Sequence, residues 1–354
     1  MAVRVLGAGL SGLSCAINMA RAGREVEVYE RRPDVGDHIK PNLQGIGFGE
    51  ERAREFLGRH GMPEPKKTRK FRKAHFLTPK RELTLNLPDP YTFVFRGGKD
   101  SLEYGLYEHA LGLGVGFHFN AVKAEEDADV IATGPRRADV VAVGGAYENV
   151  NLPKDTMLLM FDDRFSPRGW YFYMLPIGPN LVEVLNCVPH PYTGQARRLF
   201  EDAVNERPFI RELMADARLA YSIGGCGNAF IPARASKDGR LYVGEAAGFQ
   251  DPTMGFGIDY ALRSGALAAQ AITDGLDYES LWRKEILPEM KKDISRRFVL
   301  SLFGSRLIEH LYRNIKSGQT IKLPNPEMTG HVGRLLEEAC FRIGLAKKRI
   351  LGSW

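Results

Sequence analysis

Cysteine is scarce in this chain. Its four copies among 354 residues, Cys15, Cys187, Cys226 and Cys340, lie far apart and form no CxxC pair. That scattering excludes a disulfide framework and a zinc site, so no metal is expected and a reducing, cytoplasmic setting fits. Long apolar runs are missing too: no stretch of about 18 apolar residues occurs, which excludes a membrane-spanning helix. There are no internal repeats and no low-complexity tracts. No recognised nucleic-acid-binding module accompanies the modest net charge of +6, so nucleic acid is not an expected partner. What remains, 44% hydrophobic and 26% charged, is an ordinary globular composition with length for one large or two ordinary domains.

Two glycine-rich stretches, about 230 residues apart, stand out against that background. Ala2–Leu6 (AVRVL) reads as a short buried parallel strand. It leads into Gly7-Ala8-Gly9-Leu10-Ser11-Gly12, where Gly7 permits a tight turn and Gly9 lets the backbone approach a pyrophosphate. Gly12 lets the next helix, expected over 13–21, pack closely on the sheet. That helix aims its N-terminal amides at the phosphates. Gly23 stops it, and Glu25–Tyr29 (EVEVY) alternates as a second strand. Glu30, followed by Arg31, ends that strand 18 positions after Gly12, the spacing of a carboxylate on adenosine ribose hydroxyls. The second stretch is Gly244-Glu245-Ala246-Ala247-Gly248, running on through Pro252 to Gly255, Phe256 and Gly257. Together the two read as halves of one FAD site. No other dinucleotide fingerprint is present, so no dedicated NAD(P)H domain is expected. A cofactor strand beginning at residue 2 or 3 also carries the expectation that no signal peptide precedes it.

The positive charge is uneven. Residues 65–73 (PKKTRKFRK) hold six cations, 291–297 (KKDISRR) four and 347–349 (KKR) three. Such runs are ordinarily solvated faces; the alternative is attraction to anionic lipid headgroups or a phosphorylated substrate. The organisation that follows is an α/β fold. An FAD-binding Rossmann-like domain is expected in three parts, 1–70, 98–137 and 226–276. An inserted substrate domain of antiparallel sheet is expected over 71–97 and 138–225, and a helical C-terminal region over 277–354. Between about 70 and 96 three extended pieces (FRKAHFL, ELTLNL, YTFVF) are expected, joined by Pro and Asp turns.

At Ala132-Thr133-Gly134 and GEAAGFQDPTMGFG the chain resembles FAD-dependent flavoproteins of the p-hydroxybenzoate-hydroxylase-like fold, and most closely their geranylgeranyl reductase branch. That branch reads G-D-A-A-G-x-x-x-P-x-x-G-x-G in its second flavin motif, at identical spacing. The resemblance implies that Glu245 contacts the ribityl chain, and that Gly255, Phe256 and Gly257 place amides near the flavin pyrimidine ring. It also puts Thr133, Gly134 and Gly244 beside the cofactor. Arg96 with Asp100 resembles the family's R-x-x-F-D element. Tyr171-Phe172-Tyr173-Met174-Leu175-Pro176 has the layout of the branch's Y-x-W-x-F-P motif, which implies a substrate pocket of Tyr171, Tyr173, Leu175 and Pro176. On a strand Tyr171, Tyr173 and Leu175 share one face, which is either a pocket wall over the flavin or an ordinary aromatic core stripe. The chain departs from the family in four places. Asp37-His38-Ile39-Lys40-Pro41 stands where a Cys-Gly pair is usual, Glu245 replaces Asp, the segment between Phe119 and Ala132 is short, and Pro135-Arg136-Arg137 replaces a serine turn.

The resemblance implies a reductase of C=C bonds in an isoprenoid or prenyl lipid, working in the cytoplasm or peripherally at a membrane. An isolated alkene must be protonated while reduced flavin delivers hydride, which demands an apolar pocket and an acid. Tyr171, Tyr173 and His38 are the candidate proton donors, and aromatic faces could stabilise a transient cation. NAD(P)H, ferredoxin or another redox partner protein would supply electrons. A flavin monooxygenase of an apolar or aromatic molecule, and an electron-transfer flavoprotein without small-molecule turnover, stay open as alternatives.

Overall fold

A computed structural model describes residues 2–48, 50–321 and 330–352. The chain folds as two compact units. The first comprises Met1–Thr68, Phe93–Arg137 and Gly227–Lys291; the second comprises Arg69–Thr92, Ala138–Cys226 and Lys292–Trp354. No helix among the described residues is long and apolar enough to cross a membrane.

The first unit is built on a sheet whose strands lie in the order Ser236–Lys237, Arg240–Tyr242, Val130–Ile131, Val3–Leu6, Val26–Tyr29, Gly116–His118. Val3–Leu6 sits centrally, parallel to Val26–Tyr29 on one side and Val130–Ile131 on the other. Its helix, Leu10–Arg21, starts three residues before the sequence pattern suggests, because Gly9 already holds the extended geometry of an N-cap. Leu13, Cys15, Ala16, Ile17 and Met19 are all fully buried. A helix apolar on so many sides belongs inside a core. The long helix Ile258–Asp274 packs on it at close range: a Cβ at Gly265 would collide with the Ser11 carbonyl, and Ser14 Oγ donates to the Leu262 carbonyl at 2.7 Å. Trp282, on helix Tyr278–Glu285, closes the same core without exposure.

The second unit carries a sheet with Arg218–Gly227, Val140–Glu148, Leu181–Pro189, Phe172–Gly178, Thr156–Met160 and Thr68–Leu77 side by side in that order. Val140–Glu148, Leu181–Pro189, Phe172–Gly178 and Thr156–Met160 form successive antiparallel pairs, whereas Thr156–Met160 runs parallel to Thr68–Leu77. One face of this sheet, with Phe172, Met174, Val182 and Val184, forms a core with Phe200, Ala203, Ile210 and Leu213. Those last four come from helices Ala196–Glu206 and Pro208–Leu213, which lie where strands alone were expected. The signal was there: Leu199, Phe200 and Ala203 follow helical spacing, with Arg197–Glu201 and Arg198–Asp202 ion pairs four apart on the wet side.

The three extended pieces expected between 70 and 96 are two strands, Thr68–Leu77 and Glu82–Arg96. Pro88 and Pro90 do not break the second, since proline keeps an extended φ and forfeits only an N–H, which an exposed stretch can spare. The tail is helical over Leu287–Phe303, Ser305–Leu311 and Gly330–Leu351. Within it Arg297 is fully buried, donating to the Arg168 carbonyl and lying 4.9 Å over the Trp170 ring.

Candidate functional site

The N-terminal loop has the geometry of a phosphate cradle. Gly7 has φ +107°, and a Cβ there would collide with the Ala132 carbonyl, so the turn is open to glycine alone. A Cβ on Gly12 would overlap the Gly7 carbonyl and lie 3.2 Å from Ala132 Cβ. At Gly9, by contrast, a Cβ would meet nothing within 4 Å, so space lies open beside the helix start. No side chain caps the helix at Gly9 and its first turn holds no acid, which leaves amides of Leu10, Ser11 and Gly12 for an anion. Glu30 is fixed at the end of its strand: Ala8 N donates to Oε2 and Arg32 N to Oε1, both at 2.9 Å. Arg31 next to it is exposed.

Arg96 ends the strand Glu82–Arg96. Its carboxylate partner is Glu103, with Nε to Oε2 at 2.8 Å, and it also donates to Gln44. Asp100 instead pairs with Lys67 at 3.5 Å. Glu103 can do this because its other oxygen accepts from Gly97 N at 2.7 Å, which locks the carboxylate at the start of helix Leu102–Gly112. Three cations of the run that begins at residue 65 are likewise ion-paired: Lys66 meets Glu108, Lys67 meets Asp100, and Lys73 meets Asp155. Thr133, exposed, and Gly134, with φ +78°, follow the end of the Val130–Ile131 strand.

The second glycine motif turns at Gly244 (φ +57°), Gly248 (φ +84°) and Gly255 (φ +81°) before Gly257 opens helix Ile258–Asp274 without a side-chain cap. Glu245 accepts from Asn228 N at 3.1 Å and from Gln250 Nε2 at 3.2 Å. The Asp251 carboxylate organises the loop, accepting from Thr253 N at 2.6 Å, Met254 N at 3.1 Å and Phe256 N at 3.3 Å. Burial pushes the Asp251 carboxyl up, and those backbone amides pull against it. A Cβ at Gly257 would strike the Gln250 carboxamide.

Asn228 is the residue the sequence did not single out. It is 1% exposed, and neither its Nδ2 nor its Oδ1 has a hydrogen-bond partner among the described residues. A buried carboxamide with both ends unsatisfied costs free energy that a ligand hydroxyl, donor and acceptor at once, would recover. It stands beside Glu245, the position assigned to the ribityl chain, so the residues present fit FAD: glycines and helix amides for its pyrophosphate, Glu30 for its ribose, Glu245 and Asn228 for its polyol.

In the second unit, Tyr173 pairs with Leu185 and Leu175 with Glu183, so Tyr171, Tyr173, Leu175 and Glu183 share one face, opposite Phe172 and Met174. Pro176, expected in the same pocket, pairs with Val182 and falls on the face that the helices cover, because side chains alternate. Tyr171 lies 5.8 Å from Tyr173 and 5.8 Å from Phe161, ring to ring. The Tyr173 hydroxyl donates to Glu183 Oε1 at 3.0 Å, and burial, then Glu183, pushes the phenol well above its usual range. His38 lies in the first unit, where desolvation and then Arg32 lower its imidazole pKa. It is neutral near pH 7 and a poor proton source.

Residues 5–50 match the model of the NAD(P)-binding Rossmann-like domain family. The chain is 29% identical over 204 residues to the digeranylgeranylglycerophospholipid reductase 2 of Methanothermobacter thermautotrophicus, which is 52% of this chain and 50% of that protein. It spans about half the length of the curated relatives it matches, or less. A geranylgeranyl bacteriochlorophyll reductase-like protein from Thermoplasma acidophilum superposes with a TM-score of 0.74 at 17% identity, over 99% of this chain and 98% of that one. A flavin-dependent brominase superposes at 0.64 and 16% identity, again over 99% and 98%. At such identities the solved structures speak for a shared fold alone.

Proposed function

We propose that the chain is an FAD-dependent oxidoreductase of the geranylgeranyl reductase kind and that it reduces carbon–carbon double bonds of a prenyl lipid with bound FAD. One observation carries the cofactor half of this reading: the orphaned Asn228 carboxamide beside Glu245, in a loop whose glycines admit no side chain. The loop from Gly7 to Gly12 would hold the pyrophosphate, Glu30 the adenosine ribose, and Glu245 with Asn228 the ribityl hydroxyls. Thr133, Gly134 and Arg96 would border the cofactor. Gly255, Phe256 and the start of helix Ile258–Asp274 would meet the pyrimidine ring, where the helix dipole favours negative charge. When bound and reduced, FAD supplies hydride.

The substrate half rests on the named relatives and on the Tyr171, Tyr173 and Leu175 face, whose aromatic and aliphatic surface suits an isoprenoid chain. Electrons would come from transiently docked NAD(P)H or from a redox protein such as ferredoxin. Leu302, Phe303, Ile343 and Ile350, all large and exposed, support peripheral contact with a membrane where such a lipid resides. The test is direct. FAD-loaded protein, reduced with dithionite without oxygen and mixed with digeranylgeranylglycerophospholipid, should add a hydrogen pair per double bond by mass spectrometry. Flavin that stays reduced beside unchanged lipid would remove this reading, and an oxygenated product in air would point to a monooxygenase.

A further inference from the structure

We propose that Asp251 holds down the reduction potential of the bound flavin, by occupying loop amides and adding a negative charge where reduced flavin would otherwise be stabilised; this rests on the FAD reading above. The loop 252–257 carries the inference. Its amides turn inward as far as Phe256. Thr253 N donates to Asp251 Oδ1 at 2.6 Å, and Met254 N and Phe256 N donate to Oδ2 at 3.1 and 3.3 Å. Gly255 N donates to the Asp251 main-chain carbonyl at 3.1 Å. The amides left to meet an anion are those at the start of helix Ile258–Asp274, which have no partner within the helix.

A turn asks for less. One side-chain oxygen accepting from the amide two places on closes it, and asparagine or serine serves as well as aspartate. Here the second oxygen takes two further amides, which suits an ionised carboxylate and which the amino end of asparagine could not do. The charge has no counter-ion either: among the described residues no lysine or arginine pairs with Asp251. A second acid stands close by instead. Asp251 N donates to Gln250 Oε1 at 3.0 Å, and Gln250 Nε2 donates to Glu245 Oε1 at 3.2 Å. Gln250 is buried and lies against Gly257, where a Cβ would strike its carboxamide, so this chain of acid, amide and acid reaches the helix start.

The electrostatic consequence has a definite sign. Two electrons and one proton, added to the neutral oxidised ring, leave it with one negative charge. The helix dipole favours that charge, and the Asp251 carboxylate opposes it. Oxidised flavin therefore gains on reduced flavin, the potential drops, and hydride leaves the reduced ring more readily. An isolated alkene, a poor hydride acceptor, needs such a donor.

The experiment loads wild type, Asp251→Asn and Asp274→Asn with FAD and titrates each with dithionite against a reference dye, without oxygen. Asp274, exposed at the far end of the same helix, controls for charge at a distance. Asp251→Asn should bind reduced FAD about 10-fold better relative to oxidised FAD, which is a rise in potential of about 30 mV. Asp274→Asn should match wild type. An Asp251→Asn potential equal to or below that of wild type overturns the proposal and leaves the FAD reading standing, and so does an equal rise in Asp274→Asn. Should Asp251→Asn hold no FAD, Asp251→Ser, whose hydroxyl still closes the turn, takes its place with the same expected rise. If that variant also holds none, Asp251 builds the loop without tuning the flavin, and the proposal falls. Wild-type protein that takes up no FAD overturns both.

Discussion

The glycine loops of the first unit and the aromatic face of the second, proposed as cofactor and substrate sites, would achieve recognition by opposite means. In the loops the chain offers backbone: amides at the starts of helices Leu10–Arg21 and Ile258–Asp274, turns at Gly7 and Gly244, and side chains chiefly where a carboxylate must be held, as at Glu30. On the sheet the backbone is consumed by strand pairing, and what the proposed pocket face would offer a ligand is side chain: Tyr171, Tyr173 and Leu175. Backbone recognition needs particular residue types at fixed spacing, because only glycine tolerates the close approaches. Side-chain recognition tolerates exchange, provided the face and the hydrogen bonds survive. The first kind leaves a mark in the sequence; the second leaves little.

Substitutions can break or sharpen that contrast. The largest effect is expected from Phe172→Ala, which empties a fully buried position in the sheet core and should cost about 3–5 kcal/mol in a urea melt of the second unit. A comparable loss of FAD affinity in that variant would break the contrast. Gly12→Val should act in reverse: its side chain meets the Gly7 carbonyl, and FAD affinity by fluorescence titration should fall by about 100-fold or more, a loss of about 3 kcal/mol. Glu30→Ala removes the acceptor of two amide hydrogen bonds and should weaken FAD by about 1.5–3 kcal/mol. Asn228→Ala sharpens the comparison most. It removes an unsatisfied buried group, so the FAD-free protein should melt no lower than wild type, while FAD binds about 10-fold more weakly. Equal FAD affinity would dismiss Asn228 as a ligand.

The smallest effect concerns pH. Burial, then Arg263 and Arg59, push His60 down to about 4 in the first unit. The folded state therefore resists a proton that the unfolded chain accepts near pH 6.5, so stability is full above that pH and declines as pH falls from 6.5 toward 4. His60→Gln should flatten that slope in melts run across the window, with the glycine loops unaffected.

Legibility follows the same division. The strand, turn, helix and strand around Gly7 to Glu30 could be read residue by residue, because each step depends on neighbours in sequence. So could the spacing from Gly244 to Gly257. Helices Ala196–Glu206 and Pro208–Leu213 were passed over because strand-like runs on either side dominate the local composition, although Leu199 and Ala203 keep helical spacing. Arg96 and Asp100 share a motif in the sequence, and nothing there marks Glu103 as the carboxylate that Arg96 meets. Asn228 was invisible because its meaning lies in its neighbour Glu245, 17 positions on, and no pattern within one segment encodes such company.

The division of the chain into alternating segments has a consequence for biosynthesis. Met290 belongs to the core of the first unit, as do Val3 and Val5. During translation the strand Val3–Leu6 and helix Leu10–Arg21 therefore emerge long before the partners that complete them, and their apolar surfaces wait until the chain through Met290 is made. A nascent chain stalled short of helix Ile258–Asp274 should be captured by holdase chaperones, and one stalled just beyond Met290, once clear of the ribosome, should be released from them.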